Sequence, residues 1–556
     1  MTSETTLAVD QHLFNQGFFG WRSRRAGASF WQNTRSGPSL LAEGEVSHVF
    51  AVRKYISIVG LAAGGAGVLL VAAAGASGVR TQSGVTQKAM EAPLPVRADR
   101  RKQAGLQQVV CPSKAGCIAT GSFDVTSHDQ VGHLLVLREH GGKWTVEASP
   151  ADVSINGSLC LYGYGSCGPV LACPAFDSCA AVAHGPSDSE LLTGSSRSWR
   201  SSEPQLPSGL GSSAGLSTLS CGSPGNCTAV GSSQPDYYTN APLLFSERDG
   251  AWGAGVEAQL PPDAATTPNP NGFVLGGGFL SVVACPAAGN CVAAGSYGEN
   301  VAGEYGVPWL AEPWITTEQA GQWQPGVKVQ LPGGASTESY QENDPFIGFT
   351  GLSCPSVGNC TAVGGYTTPG GEEGLILIER NGVWSQPIRA PLPDGHQPPN
   401  WPNEDDNPVG AVSCPDPGDC AAIGVVGGYD AGPWLGWLLS ERHGTWKSSI
   451  ANVAAPDGKV SVPGNLFLAS VTCPTAGNCV AVGTYHHGRY GLILIERNGK
   501  WRPGIRPARP ANAATKKAWT NLDSVSCAST NHCIVVGQYK TRSGNPQGLI
   551  INLSLH

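Results

Sequence analysis

The chain has 556 residues, more than one simple core sustains, so either several domains or one repeating architecture is expected. Charged residues make up 13% of it, against a usual share of roughly 25%, while 75 Gly and 42 Pro favour many short strands joined by tight turns, and ordinary apolar content argues against disorder. The net charge of -7 has no basic block behind it, so nucleic acid is not an expected partner.

Residues 1–54 form a tail whose stretch "GFFGWRSRRAGASFW" suits the inner membrane surface through its aromatics and arginines. Next comes "ISIVGLAAGGAGVLLVAAAGASGV", Ile56 to Val79, an uncharged run long enough as a helix to cross a hydrocarbon core of about 30 Å. Residues 55–79 are therefore expected to be a single transmembrane helix. The alternative is a cleavable signal peptide, with Arg53 and Lys54 before the apolar run and small residues at Ala74 to Ser77 for cleavage. Val46, Val49 and Val52 are alternative starts if the gene uses a GTG codon, and any of them would leave an ordinary signal peptide. Basic residues are balanced across the run, so they do not orient it.

The cysteines do. All eighteen fall into local pairs: Cys111 and Cys117, Cys173 and Cys179, Cys221 and Cys227, Cys285 and Cys291, Cys354 and Cys360, Cys414 and Cys420, Cys473 and Cys479, Cys527 and Cys533, all C-x5-C, with Cys160 and Cys167 one residue wider. Phrases such as "CPSVGNC" and "CPTAGNC" place Pro where a turn starts and Gly with Asn where it ends, so each reads as a hairpin tip with its cysteines on facing strands. Facing positions are within disulfide reach. Closing a seven-residue loop stabilises by roughly 2 kcal/mol. Zinc would need ligands two to four residues apart, and a redox motif would need C-x-x-C; neither occurs in this pattern. Structural disulfides imply an oxidising compartment, hence amino terminus inside and the body outside.

Successive C-x5-C units start 62, 48, 64, 69, 60, 59 and 54 residues apart. Each continues in the same order, as in "CPTAGNCVAVGTYHHGRYGLILIERNGKW": a strand into the first cysteine, a second from the other, a third, a two-residue turn, and a fourth beginning at Trp. Four short antiparallel strands per unit predict an all-β fold, an eight-bladed β-propeller over residues 106–556, with seven blades as the alternative if the weak second unit is degenerate. Seven units carry the fourth-strand tryptophan, at positions 144, 199, 252, 323, 384, 446 and 501, but the eighth ends after its third strand. The linker, residues 80–105, is expected to supply the missing strand from "EAPLPVRA", Glu91 to Ala98.

The turn "SERDGAW", Ser246 to Trp252, resembles the Asp-box of BNR-repeat and sialidase-type propellers, Ser-x-Asp-x-Gly-x-x-Trp, though here the acid directly precedes Gly and one residue precedes Trp. The cysteine phrase resembles the "SCPSAGNCVAVGSY" repeats of uncharacterised extracytoplasmic actinobacterial proteins. The resemblance covers about 450 residues and implies the fold, not an activity.

In such a fold the short turns share one face and the variable loops the other, and binding is normally built on variable loops. From those loops Tyr237, Tyr238, Tyr340, Trp401 and Trp434 are the expected contacts, against the plainer reading of solvated loops with aromatics packed on the rim. An aromatic recurs six residues after the second cysteine, at Phe123, Tyr297, Tyr366, Tyr485 and Tyr539, with packing between blades as its simpler explanation. Acidic runs at Glu342 to Pro345 and Asn403 to Pro408 offer oxygens to calcium but lack the twelve-residue loop pattern, so no cofactor is expected. No carboxylate pair, nucleophile elbow or arginine cluster for a sialidase substrate singles itself out. The expectation is a membrane-tethered, extracytoplasmic binding or scaffolding module for protein or glycan. The rivals are an extracellular carbohydrate-active enzyme and a structural envelope protein.

Overall fold

The computed structural model describes residues 78–556 apart from 83, 97, 99–102, 126–130, 148–152, 157–168, 186–187, 196–197, 236–238, 265–275, 300–309, 337–346, 397–407, 429–432 and 455–458. The pair Cys160 and Cys167 and all of the apolar run except Gly78 and Val79 lie outside the described residues; those two open a strand, Gly78–Gln82. Among the described residues no helix is long and apolar enough to cross a membrane.

The described chain is all β, in eight antiparallel meanders. Unit 1 runs through Ala104–Ser113, Gly116–Phe123, Val131–His140 and Lys143–Val146; unit 2 through Val170–Ala175, Ser178–His184, Ser189–Ser195 and Trp199–Ser202. Unit 3 follows with Ala214–Ser223, Asn226–Ser233, Thr239–Arg248 and Ala251–Trp252, and unit 4 with Gly276–Ala287, Asn290–Glu299, Leu310–Gln319 and Gln322–Trp323. Unit 5 comprises Ile347–Ser356, Asn359–Thr368, Gly371–Arg380 and Val383–Trp384; unit 6, Val409–Asp416, Asp419–Val426, Leu435–Arg442 and Thr445–Ile450. Unit 7 comprises Phe467–Thr475, Asn478–Tyr485, Tyr490–Arg497 and Lys500–Trp501, and unit 8 has three strands, Thr520–Ser529, His532–Lys540 and Pro546–Leu555. The first strand of each unit lies against that of the next, and Thr520–Ser529 returns to lie against Ala104–Ser113. This is a β-propeller-like arrangement.

The hydrophobic core is divided among the junctions. Ile534, Val536 and Ile550 of unit 8 meet Leu106, Phe123 and Leu137 of unit 1, while Ile118, Leu134 and Val136 of unit 1 meet Leu171, Ala181 and Leu192 of unit 2. Alternate residues of a strand thus serve opposite neighbours, which is why runs such as "CIVVG" and "GLILI" are apolar throughout instead of alternating. The recurring aromatics belong to these junctions: Phe123, Tyr297, Tyr366, Tyr485 and Tyr539 are all buried between units.

The repeated "VG" or "AG" of the second strand has a steric cause. The first strand carries a β-bulge opposite it, as between Phe349 and Gly351 or Leu522 and Ser524. The bulge pushes a carbonyl toward the partner: a Cβ on Gly364 would stand 1.9 Å from the Gly348 oxygen, and one on Gly424 1.9 Å from that of Pro408. Only glycine fits there.

Among the described residues eight disulfides clip the first hairpins, with Cα atoms 3.9 to 4.1 Å apart. In units 3 to 7 the other short turn lies beside the clipped one and is hydrogen-bonded to it: Gly250 N donates to Gly225 O (2.9 Å), Gly321 N to Gly289 O (2.8 Å), Gly382 N to Gly358 O (2.8 Å), Gly444 N to Gly418 O (3.0 Å) and Gly499 N to Gly477 O (3.0 Å). The short turns therefore share one face. Between units, the serine before the first cysteine takes up an otherwise unpaired amide of the next unit: Cys111 N donates to Ser526 Oγ (2.9 Å), Cys285 N to Ser220 Oγ, Cys414 N to Ser353 Oγ and Cys473 N to Ser413 Oγ (3.0 Å each).

The strand that pairs with Pro546–Leu555 is Val85–Glu91, in register from Val85 with Leu555 to Glu91 with Leu549, and Gly78–Gln82 pairs on its outer side. It lies six residues earlier than the "EAPLPVRA" expected there, which shares only Glu91 with it. The reason is chemical: Pro93 and Pro95 offer no N–H to a ladder, whereas "VTQKAME" offers seven. Buried Gln87 fastens this strand to unit 7, accepting from Ala508 N (2.7 Å), and Glu91 receives the Tyr539 hydroxyl (3.0 Å) and Asn512 Nδ2. Burial, and next the Glu91 charge, push the Tyr539 phenol up.

Candidate functional site

On the face of the longer loops, the junction of units 7 and 8 opens into two adjoining cavities of about 230 and 600 Å³ that share Arg489, Ala518 and Trp519. Three segments build them. The loop between the second and third strands of unit 7, "HHGR", reverses with positive φ at His486 and His487 and presents Arg489. The tail after its fourth strand brings Arg506 and Arg509, and the approach to unit 8 brings Lys517 and Trp519, with Arg80 arriving from the outermost strand.

Aromatic packing fixes the floor. Tyr485 and Tyr490 lie 5.3 Å apart by ring centroids, and His486 is 5.1 Å from Tyr485. Arg506 donates from Nε to the Tyr485 hydroxyl (2.8 Å) while its guanidinium sits 4.7 Å from the Tyr490 ring centre, and that of Arg489 lies at 5.5 Å. His487 Nε2 meets Asn465 Nδ2 at 3.0 Å. Among the described residues no carboxylate lines either cavity. Near Asn521, which lines the larger one and donates to Asp523 (2.7 Å), burial pushes the Asp523 carboxyl up to about 8, so it is largely uncharged at neutral pH. The cleft is electropositive, aromatic and rimmed with amides, from Gln103, Asn521 and Gln538.

Of the expected contacts, Tyr237, Tyr238, Tyr340 and Trp401 lie outside the described residues, as do the acidic residues of both runs. Trp434 is described: half-buried, it packs beside Phe467 (6.3 Å) and covers Gly428, whose Cβ, were there one, would meet the indole at 2.6 Å. It belongs to unit 6 and does not line the cleft. Trp519, Arg489, Arg506 and Lys517 were not singled out from sequence. No group of three or more His, Cys, Asp or Glu among the described residues is placed to hold a metal ion.

No family model and no curated protein matches the chain. Solved structures show a distant similarity. An α-L-arabinofuranosidase of Fusarium graminearum, solved with arabinobiose, is 10% identical over 84% of this chain and 97% of its own, with a TM-score of 0.31. A subtype N11 neuraminidase-like protein of A/flat-faced bat/Peru is 8% identical over 84% and 93%, with a TM-score of 0.32. An α-L-arabinanase of Penicillium chrysogenum, also complexed with arabinobiose, is 12% identical over 83% and 96%, with a TM-score of 0.29.

Proposed function

We propose that the chain is a membrane-anchored, extracytoplasmic propeller of eight blades, closed by Val85–Glu91, that acts as a binding module for an anionic glycan. The observation that carries the ligand class is the cleft at units 7 and 8: Arg489, Arg506, Lys517 and Arg80 converge around Trp519 and Tyr490 with no carboxylate lining it among the described residues. Guanidinium groups match acidic substituents in bidentate fashion, and an aromatic face packs on a sugar's apolar side. Disulfides in every described unit support an oxidising compartment, and the apolar run Ile56 to Val79 supports a tether.

The test is titration of the full chain in detergent with a uronate-containing tetrasaccharide and a neutral one of equal length. The acidic sugar binds, more weakly as salt rises. Arg489→Ala and Trp519→Ala each weaken it about tenfold, near the 1.4 kcal/mol of a modest hot-spot contact. Cleavage of either sugar would establish the enzymatic alternative instead, and binding of neither would leave a structural role.

A further inference from the structure

A glutamate recurs at the end of the third strand and faces the fourth-strand tryptophan across the hairpin, pairing Glu139 with Trp144, Glu247 with Trp252, Glu318 with Trp323, Glu379 with Trp384, Glu441 with Trp446 and Glu496 with Trp501. All six glutamates are buried. Five have a polar partner. Glu139 receives Gly142 N, Glu247 the Thr193 hydroxyl (2.7 Å), Glu318 the Arg248 guanidinium, Glu441 that of Arg380 (3.1 Å), and Glu496 both Arg442 (2.7 Å) and the Ser440 hydroxyl (3.0 Å). The arginines share one origin: each directly follows its own unit's glutamate and reaches across the junction to neutralise the next.

Unit 4 breaks the rule. Where Arg248, Arg380 and Arg442 stand in other units it has Gln319, and Glu379 in unit 5 is the glutamate left over. Only 5% exposed, Glu379 makes no ion pair among the described residues, and its Oε2 has no hydrogen-bond partner. The same junction holds a cavity of about 660 Å³, lined among others by Ile315, Thr317, Gln319, Leu377, Glu379 and Trp384 and set among the short turns, away from the basic cleft. Other charges at the groove are engaged: Glu318 with Arg248, and Lys328 with Asp263 and Glu312 (3.2 Å each). Arg380 points to the next junction.

We propose that this groove binds the side chain of an arginine presented by another polypeptide, its guanidinium meeting Glu379 and its alkyl stem lying on Ile315, Leu377 and Trp384. The protein itself supplies the template, since three other junctions place an arginine against the equivalent glutamate or its neighbour in the ring. A planar fork satisfies both carboxylate oxygens and tolerates an apolar wall better than a compact ammonium does. The cavity exceeds one side chain, which leaves room for flanking residues. Burial raises the Glu379 pKa, and a bound cation would restore the carboxylate.

The test titrates the full chain with acetyl-Gly-Arg-Gly-amide, the same peptide with citrulline in place of arginine, and agmatine. The arginine peptide binds at least tenfold tighter than the citrulline peptide and tighter than agmatine. Glu379→Gln removes that preference, and Gln319→Arg, which fills the groove from within, abolishes binding while raising the melting temperature. Arg489→Ala in the basic cleft leaves it unchanged, so failure here is separable from failure of the glycan reading. Equal binding of arginine and citrulline peptides, or binding that survives Gln319→Arg, overturns the proposal; agmatine binding as tightly as the peptide overturns the polypeptide source.

Discussion

Deleting one hairpin clip, by the double change Cys354→Ala and Cys360→Ala, is expected to cost about 2.4 kcal/mol. The bridge closes a loop of seven residues, its Cα atoms 4.1 Å apart. With seven residues the chain-entropy relation gives about 7.9 cal/mol/K, or about 2.4 kcal/mol at 25 °C, assigned to the unfolded chain. The folded turn has other supports: Gly382 N donates to Gly358 O (2.8 Å), Asn359 Nδ2 to Val357 O (3.3 Å), and the strands on either side keep their ladder. The native hairpin therefore persists, and the loss registers as a lower guanidinium midpoint with an undiminished slope. Because every other described clip spans the same separation, the equivalent double changes at Cys221 and Cys227 or at Cys473 and Cys479 should cost the same to within about 1 kcal/mol. A cost below about 0.5 kcal/mol, or costs scattered over several kcal/mol between units, would refute the entropic account and assign the clips a native-state role.

Two further outcomes follow from packing and charge. Gly364→Ala forces a Cβ to 1.9 Å from the Gly348 oxygen and should cost about 3 kcal/mol or more, whereas Gly382→Ala, with open space around it and a φ of 79°, should cost only about 1–2 kcal/mol; melting temperatures of the two variants decide. Glu379→Gln should match the parent near pH 4 and exceed it by about 1–3 kcal/mol at pH 8. Burial raises the Glu379 pKa above its ordinary 4.5, so between those values the folded state holds a proton the unfolded state has released, and the parent's stability falls as pH rises through that window. Melting curves from pH 4 to pH 8 that run parallel for variant and parent would contradict this.

Much of the architecture was legible because each unit repeats local chemistry. Pro and Gly-Asn between two cysteines name a clipped turn wherever they occur, and a Trp after a two-residue turn names the last strand. The role of the second-strand glycine was not legible, since its cause is a bulge in the neighbouring strand and not its own backbone. Glu91 to Ala98 does not supply the closing strand because its two prolines bar it from a ladder, and the proline-free Val85–Glu91 takes that place. The cleft at units 7 and 8 draws Arg80 beside Arg489, Arg506 and Trp519, and no spacing rule connects residues four hundred positions apart. The groove was different. "TEQAGQW" set against "SERDGAW", "IERNGVW" and "SERHGTW" already showed Gln319 where arginine was due; what the sequence lacked was the knowledge that this arginine crosses to the next unit.

A ring of near-copies gives each junction the same electrostatic problem, and the departures show how it is otherwise solved. Unit 2 has Ser195 at the arginine position, but Thr193 supplies a hydroxyl to Glu247. It also has Gly194 in place of its own glutamate, so unit 1, with His140 at the arginine position, has no acid there to meet; Arg138, one residue before Glu139, joins Glu147 and the carbonyls of Phe176 and Ser195. Unit 8 has Leu553 where the glutamate would fall, so Arg497 has no acid at that position to neutralise and is only half-buried. In each case loss of one partner is matched by loss or replacement of the other, as expected when an unpaired buried carboxylate costs several kcal/mol. At units 4 and 5 the cation is gone while the acid and a deep groove remain. An acid placed like Glu318, Glu441 and Glu496 but facing Gln319 and an open groove is the physical basis for proposing that its counter-charge comes from outside the chain.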